Sequence, residues 1–346
     1  MADIQSQFEK FHQTIKLDDE NKELREKRDI LIDKLKRRLG EQFDTPPQFT
    51  YFNKGSYAMD LGVVPIDCDY DIDVGLEFDI NKEDYEDPVE VKRWVYNALY
   101  GHTDEVKIKR PCVTVQYHTN DEPLYHVDFA VYAHAQNSGI LYLARGKDTS
   151  PNEERIWAYD DPKGLVSLIR GKFADESDQA QFRRIIRATK RWKNIKFSTS
   201  GHEAPTGVGI TVAAYYWFTP SKKIIDAVSL KYKYSDLDAF LDFVEKLLRN
   251  FRTILYDGEY SERLVVTLPL LPNNDLFDKM TNVQMSNFKE KLERLRDCLM
   301  AAVAEADPVE ASKIIGRQLG DDFPIPEVKE TGQKRGPAIV SSSSAA

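Results

Sequence analysis

From position 66 to 80 every even position is apolar or aromatic: Ile66, Cys68, Tyr70, Ile72, Val74, Leu76, Phe78 and Ile80. The odd positions carry Asp67, Asp69, Asp71, Asp73, Gly75, Glu77 and Asp79. A strand sends alternate side chains to opposite faces, so this segment packs one face on a core and shows carboxylates on the other. Further strands are expected at about 48–54, 106–117 (interrupted at Pro111), 125–133 and 139–144, with a helix near 88–100. Residues 3–43 read as helix in two pieces parted near Leu17-Asp18-Asp19, because Leu24, Ile30, Leu31, Leu35 and Leu39 recur at helical spacing. Later the period changes, and helices are expected over about 162–172, 175–196, 208–218, 236–255 and 284–305.

The amino-terminal half therefore reads as α/β and the carboxy-terminal half as mainly helical. The break falls between Asp160 and Ser177 with no Gly/Ser linker to mark it, so the halves are expected to share an interface and a cleft. After about Glu330 the chain runs through Thr331-Gly332-Gln333 to Ser341–Ser344, Ala345 and Ala346, a composition that buries no core.

With 346 residues, 41% of them hydrophobic and 30% charged, the chain has the make-up of a globular protein of two domains or one composite domain. No apolar run approaches the roughly 20 residues that span a bilayer, and the polar, acidic start is unlike a signal peptide. Cys68, Cys112 and Cys298 are scattered without metal-binding spacing, which points to a reducing cytoplasm. The net charge, 48 minus 57 or −9, disfavours stable binding to DNA. Locally the balance inverts: residues 183–196 hold Arg183, Arg184, Arg187, Lys190, Arg191, Lys193 and Lys196 with no acid, an electrostatic complement for a polyphosphate.

Three pieces carry candidate chemistry. The turn Lys54-Gly55-Ser56 follows a strand, and a glycine there lets backbone approach a phosphate closely, although an ordinary turn reads the same way. Asp71-x-Asp73 shares one strand face; Asp67-x-Asp69 and Asp69-x-Asp71 fit the spacing too, but Ile72 and Val74 anchor the later pair. Asp128, in Tyr125-His126-Val127-Asp128-Phe129, points away from the apolar positions together with His126, and a carboxylate among Val and Phe is costly to bury unpaired. If the two strands are neighbours, three carboxylates converge. Crowded like charges are relieved by divalent cations, which points to Mg²⁺ and phosphoryl transfer.

A Gly-Ser turn, an Asp-x-Asp in an alternating strand and a third Asp on a later strand resemble the nucleotidyltransferase pattern of DNA polymerase β-like enzymes. The wording Gly55-Ser56-Tyr57-Ala58-Met59 and Asp69-Tyr70-Asp71-Ile72-Asp73-Val74-Gly75 resembles the cGAS/DncV-like nucleotidyltransferases (CD-NTases) of bacterial anti-phage signalling. Lys190-Arg191-Trp192-Lys193, Pro269–Asp275 and Ile315–Pro324 resemble later segments of that family, so the likeness spans about residues 20–325. It implies an α+β, bilobal fold: a mixed-sheet catalytic lobe with amino-terminal helices over 1–170, a helical lobe over 171–329 and a flexible tail over 330–346.

By the same resemblance Asp71, Asp73 and Asp128 hold two Mg²⁺ (Mn²⁺ being an alternative), and Gly55 and Ser56 grip the β- and γ-phosphates of the donor. Lys190 reaches the terminal phosphate, with Arg183 and Arg187 on the same helix face. Where relatives place a serine after this helix, this chain has Pro205-Thr206-Gly207-Val208, so Thr206 or backbone N–H groups are expected instead. Tyr57 is expected to stack on a base or to fill the core. The implied activity is synthesis of a cyclic di- or oligonucleotide messenger from ATP and other NTPs in anti-phage defence. Two alternatives remain: a nucleotidyltransferase acting on an RNA end or a protein side chain, and a non-catalytic nucleotide-binding module. Several relatives have their carboxy terminus conjugated by an accessory ubiquitin-transfer-like enzyme, and a tail ending in small residues, Ala345-Ala346, would fit such an enzyme's narrow channel; a disordered end reads slightly better.

Overall fold

A computed structural model describes residues 2–17, 20–66, 70–119, 122–135, 138–198, 203–226 and 231–327. Asp67, Cys68, Asp69 and the tail from 328 onward lie outside the described residues. The chain opens with helices α1 (Gln5–Ile15) and α2 (Glu20–Gln42), then strand β1 (Phe49–Asn53), the one-turn helix α3 (Gly55–Ala58) and the long strand β2 (Tyr70–Asn81). Helix α4 (Pro88–Leu99) leads into β3 (Glu105–Ile108), β4 (Val113–Thr119), β5 (Glu122–His134), β6 (Leu141–Arg145) and β7 (Ile156–Tyr159). These strands form one seven-stranded mixed sheet in the order β1-β2-β5-β4-β3, with β6 on β5 and β7 on β6. β2 and β5 run parallel, and the other pairings are antiparallel.

The alternation in β2 resolves as expected. Ile72, Val74, Leu76 and Phe78 are fully buried and meet Val127, Phe129 and Val131 of β5 beneath a cover of α2 and α4, to which Leu31, Leu35, Val91 and Val95 contribute. Each such side chain, taken from water, stabilises the fold by about 1.5–3 kcal/mol. With that face fixed in the core, the carboxylates of β2 have no choice of side.

The second half begins with α5 (Pro162–Arg170), α6 (Glu176–Lys196) and α7 (Gly207–Trp217), followed by the hairpin β8 (Lys222–Asp226) and β9 (Lys231–Tyr234). Then come α8 (Asp236–Arg249), a second hairpin β10 (Phe251–Tyr256) and β11 (Glu259–Leu264), α9 (Asn282–Ala304) and α10 (Pro308–Leu319). Asp-Pro pairs start three of the helices: Asp87, Asp161 and Asp307 accept from backbone N–H groups of α4, α5 and α10, each with proline at the first position. Thr281 and Gln284 close a capping box on α9.

A separate core joins Phe182, Ile186 and Trp192 of α6 to Phe240 and Phe243 of α8 and Phe288 and Leu295 of α9. Helix α1 packs into this helical core through Phe8 and Phe11, both of which meet Phe323, whereas α2 covers the sheet.

Two expectations about secondary structure need correction. The helix expected over 236–255 stops at Arg249, because Phe251–Tyr256 alternates as a strand and Asp257-Gly258 adopts the positive φ values (51° and 81°) of a tight hairpin turn. The second half is also less purely helical than its periodicity indicated: β8–β11, together with β7 and α10, went unanticipated. Among the described residues no helix is long and apolar enough to cross a membrane, and Cys112 and Cys298 are free thiols.

Candidate active site

The parallel pairing of β2 and β5 sets Asp71 opposite His126 and Asp73 opposite Asp128. Because side chains alternate, all four stand on the face turned away from the sheet core. Ligand atoms of Asp71, His126 and Asp128 lie within 4.8 Å of one another, and His126 Nε2 is 3.3 Å from Asp71 Oδ1. Thr114 on β4 donates to Asp128 Oδ1, and the Lys109 ammonium stands 4.0 Å from the same oxygen.

The crowding has an electrostatic signature. Half of the Asp71 side chain is open to the cleft, yet the walls around it and then the Asp73 charge push its carboxyl up to about 8, with His126 opposing. Burial raises Asp73 as well; Lys54 counteracts it and Asp128 adds to it. Crowded carboxylates of this kind favour a doubly charged counter-ion, and their oxygen donors fit a hard divalent cation such as Mg²⁺ or Mn²⁺.

Gly55 sits against this cluster. Its φ is +64°, and a Cβ built there would lie 1.9 Å from Asp73 Oδ2. The turn is further held by hydrogen bonds from Lys54 N to Asp73 O (3.0 Å) and from Leu61 N to Ser56 O (2.8 Å). Lys54 Nζ donates to the Tyr132 hydroxyl (2.8 Å), which donates to Asp160 Oδ2 (2.7 Å), so a cation is fixed beside Asp73.

Between the sheet and the helical half lies a cleft of about 620 Å³, within the usual range for small-ligand sites. Lys54, Gly55, Ser56, Asp71, Asp73, Asp160 and Asp161 line one side. Lys190, Lys193 and Asn194 of α6, with Gly207, Val208 and Thr211 of α7, face them, over an apolar floor that includes Met59, Leu61 and Leu165. Lys190 is buried and donates to Leu61 O (3.2 Å); burial, then Arg187 and Lys193, push its ammonium down to about 7. An anion in the cleft would restore its charge. Thus Asp71, Asp73, Asp128, Gly55, Ser56 and Lys190 are brought together as the sequence indicated.

Three of the expected residues are not among those lining the cleft, and for Thr206 and Tyr57 this is the alternative that the sequence left open. Arg187 is 1% exposed and is spent on the turn after α3: it donates to Gly62 O (3.0 Å), Asp60 O (2.6 Å) and Asp60 Oδ1 (2.9 Å). It therefore braces the turn and does not line the cleft. The Thr206 hydroxyl caps α7, accepting from Gly209 N and donating to Leu276 O, and its neighbours Gly207 and Val208 border the cleft. Tyr57 packs against the sheet core and is not among the cleft residues.

Sequence reasoning named Lys54 only within the turn and Lys193 only within the basic run, and gave Asn194 and Asp160 no role. Lys193 and Asn194 were within reach of it, being three and four residues beyond Lys190 on the same helix face. Lys54 and Asp160 become neighbours through β5, so no local signal marks them.

Residues 49–132 match the profile of the cyclic GMP-AMP synthase DncV-like nucleotidyltransferase domain. A cyclic GMP-AMP synthase of Escherichia albertii is 29% identical over 196 residues, covering 54% of this chain and only 40% of that protein. Among solved structures, the Bradyrhizobium diazoefficiens CD-NTase CdnG in complex with GTP superposes with a TM-score of 0.64 at 15% identity, covering 91% of this chain and 95% of that one. Vibrio cholerae DncV cyclic AMP-GMP synthase, in complex with the linear intermediate pppA(3′,5′)pG, gives 0.58 at 18% identity, covering 80% and 70%. At such identities the structural likeness is one of fold, and it is the bilobal α+β fold expected from the sequence.

Proposed function

From a chain that belongs to the cGAS/DncV-like, DNA polymerase β-like nucleotidyltransferases, we propose an enzyme that joins nucleoside triphosphates into a cyclic di- or oligonucleotide second messenger. The observation that carries this reading is the parallel register that sets Asp71 and Asp73 beside Asp128 and His126, under the Gly55 turn.

Asp71, Asp73 and Asp128 would hold two Mg²⁺. When bound, such ions polarise the α-phosphate and ease loss of the attacking hydroxyl's proton. Gly55 and Ser56 offer backbone and hydroxyl donors to the donor's β- and γ-phosphates, and the tight turn lets a triphosphate approach the carboxylates. Lys190, with Lys193 behind it, neutralises the pyrophosphate that leaves when the acceptor ribose oxygen bonds to the α-phosphorus. Asp160, Asp161, Asn194 and Thr211 supply polar groups to the rest of the cleft, where ATP and other NTPs would lie. A DncV structure holding a linear intermediate supports a second round in the same cleft, after the first product turns over.

The role assigned is anti-phage signalling in the cytoplasm, with the carboxy-terminal tail as a site for conjugation by a ubiquitin-transfer-like enzyme. Both rest on the family resemblance, and the tail lies outside the described residues.

Asp71→Asn/Asp73→Asn is expected to abolish product while leaving the circular-dichroism spectrum and melting temperature close to those of the parent. Synthesis retained by the purified double variant would overturn the site. Supplied with NTPs alone and Mg²⁺ or Mn²⁺, the enzyme should form phosphatase-resistant nucleotides. Product only when an RNA or protein acceptor is added would favour a transferase of the same fold instead. ATP binding that is indifferent to the cation would favour a non-catalytic module.

A further inference from the structure

Taking the nucleotidyltransferase reading above as its basis, we propose that His126 is a protein ligand of the catalytic cations, giving the position between Asp71 and Asp128 a nitrogen donor that favours Mn²⁺ over Mg²⁺. Among the described residues three pairings of imidazole with carboxylate stand on this sheet: His126 with Asp71 at 3.3 Å, His134 with Glu77 at 3.3 Å and His118 with Glu105 at 3.5 Å. In the last two the carboxylate is shared with a lysine, Lys163 on Glu77 and Lys107 on Glu105. Among the described residues only the first brings in a second carboxylate, so that Asp71, His126 and Asp128 each offer one atom within 4.8 Å of the others.

The register dictates this. His126 and Asp128 are two apart on β5 and share a face, and the parallel partner of His126 is Asp71. His126 is well buried, with 15% of its side chain exposed, so the imidazole is held by its surroundings and does not wander in solvent.

A divalent cation with bonds of about 2.1 Å holds its donor atoms within about 4.2 Å of each other. Side-chain adjustments of less than about 1 Å would therefore close a site whose donors now lie within 4.8 Å. The donor atoms also discriminate. Mg²⁺ keeps oxygen ligands and water and gains little from imidazole, whereas first-row transition ions bind it increasingly well along the Irving–Williams series, which begins at Mn²⁺. On ligation Nε2 exchanges its contact with Asp71 for the metal, and Asp71 turns its oxygen to the same ion.

The test uses the full-length protein with substoichiometric Mn²⁺ and pulsed electron paramagnetic resonance of frozen solutions. The parent should show ¹⁴N coupling from a directly bound imidazole, and uniform [¹⁵N]histidine labelling should replace it with the ¹⁵N pattern without any substitution. His126→Gln should abolish the coupling and weaken Mn²⁺ binding by about tenfold or more. Its Mg²⁺ affinity, read by competition, should change by less than about threefold, and His134→Gln should behave as the parent. Absence of nitrogen coupling in the parent, or its persistence in His126→Gln, would reduce His126 to a hydrogen-bond partner of Asp71. Nucleotide product without nitrogen coupling sinks this inference alone; nitrogen coupling without product from any NTP mixture sinks the functional reading and leaves the ligand assignment in place.

Discussion

At Gly55 two constraints coincide: a left-handed backbone and the Asp73 carboxylate standing where a methyl group would be. Alanine there would strain the turn by about 1–2 kcal/mol and push Asp73 out of line. A misplacement of roughly 1 Å near reacting atoms costs about 100-fold. Gly55→Ala is therefore expected to lower turnover at least about 100-fold and the denaturation midpoint modestly. Gly40, inside α2 with open space around it, provides the comparison. Gly40→Ala should raise stability by up to about 1 kcal/mol without touching activity. Denaturant titration beside steady-state assays separates the two. At this scale the sequence pointed to Asp71 and Asp73, whose place on the open face of β2 follows from the burial of Ile72 and Val74 between and beside them. For Arg187, Thr206 and Tyr57 it named the residue type but not the partner.

Among elements, α6 shows how that happens. Arg183, Arg187 and Lys190 do share a helix face, as their spacing requires. That face meets the Asp60–Gly62 turn: Arg183 Nε is 3.5 Å from Asp60 Oδ2, Arg187 holds both the carboxylate and the backbone, and Lys190 reaches Leu61 O. The helical lobe thus grips the turn that follows the Gly-Ser loop, and loop and basic helix are set by one another. The roles should separate on substitution. Arg187→Ala is expected to lose about 2–3 kcal/mol of stability, because Asp60 and two carbonyls lose their donor, partly offset by the exposure of Asp60. Lys190→Met should leave stability equal or higher, since the buried ammonium has little to compensate its desolvation, while weakening ATP binding by about tenfold or more. Calorimetric titration with ATP and chemical denaturation decide it: equal losses of stability in both variants would argue against this division of labour. The hairpin β10–β11 and helix α10 escaped the periodicity reading for a related reason. Their apolar residues, such as Phe251, Leu264 and Ile315, belong to the helical core and make sense only once that core exists.

At the scale of the whole molecule the described residues form two large cores, one under the sheet and one among the helices, with a small third around Ala130, Tyr132 and Leu141, and α1 joins the second across most of the chain's length. His12 on α1 lies within the field of Arg183, Arg184 and Arg187, with Nδ1 buried and without a partner among the described residues. Burial first, and then those arginines, hold its imidazole down to about 3. In the unfolded chain a histidine titrates near 6.5. Between those values the unfolded state binds more protons, so stability rises with pH across this window and is lost as the solution is acidified below about 6.5. The loss should reach about 2–3 kcal/mol by pH 4, and His12→Asn should flatten that part of the profile. Urea midpoints measured from pH 7 to 4 test this, and a slope unchanged by the substitution would contradict it.

The alternation of β2, the burial of Ile72 and Val74 that sets the face of Asp71 and Asp73, the basic character of α6 and the change from strand to helix periods along the chain were all written in local order, because strand and helix periods act over a few residues. The meeting of Asp128 with the first two aspartates was only conditional there, since a parallel pairing spans more than fifty intervening residues and leaves no mark in either strand. Tertiary structure alone turned Arg187 from a phosphate ligand into a brace, took the Thr206 hydroxyl for a helix cap and set His126 against Asp71. Such choices follow from which donor finds which acceptor once the chain has closed on itself, and no spacing encodes them.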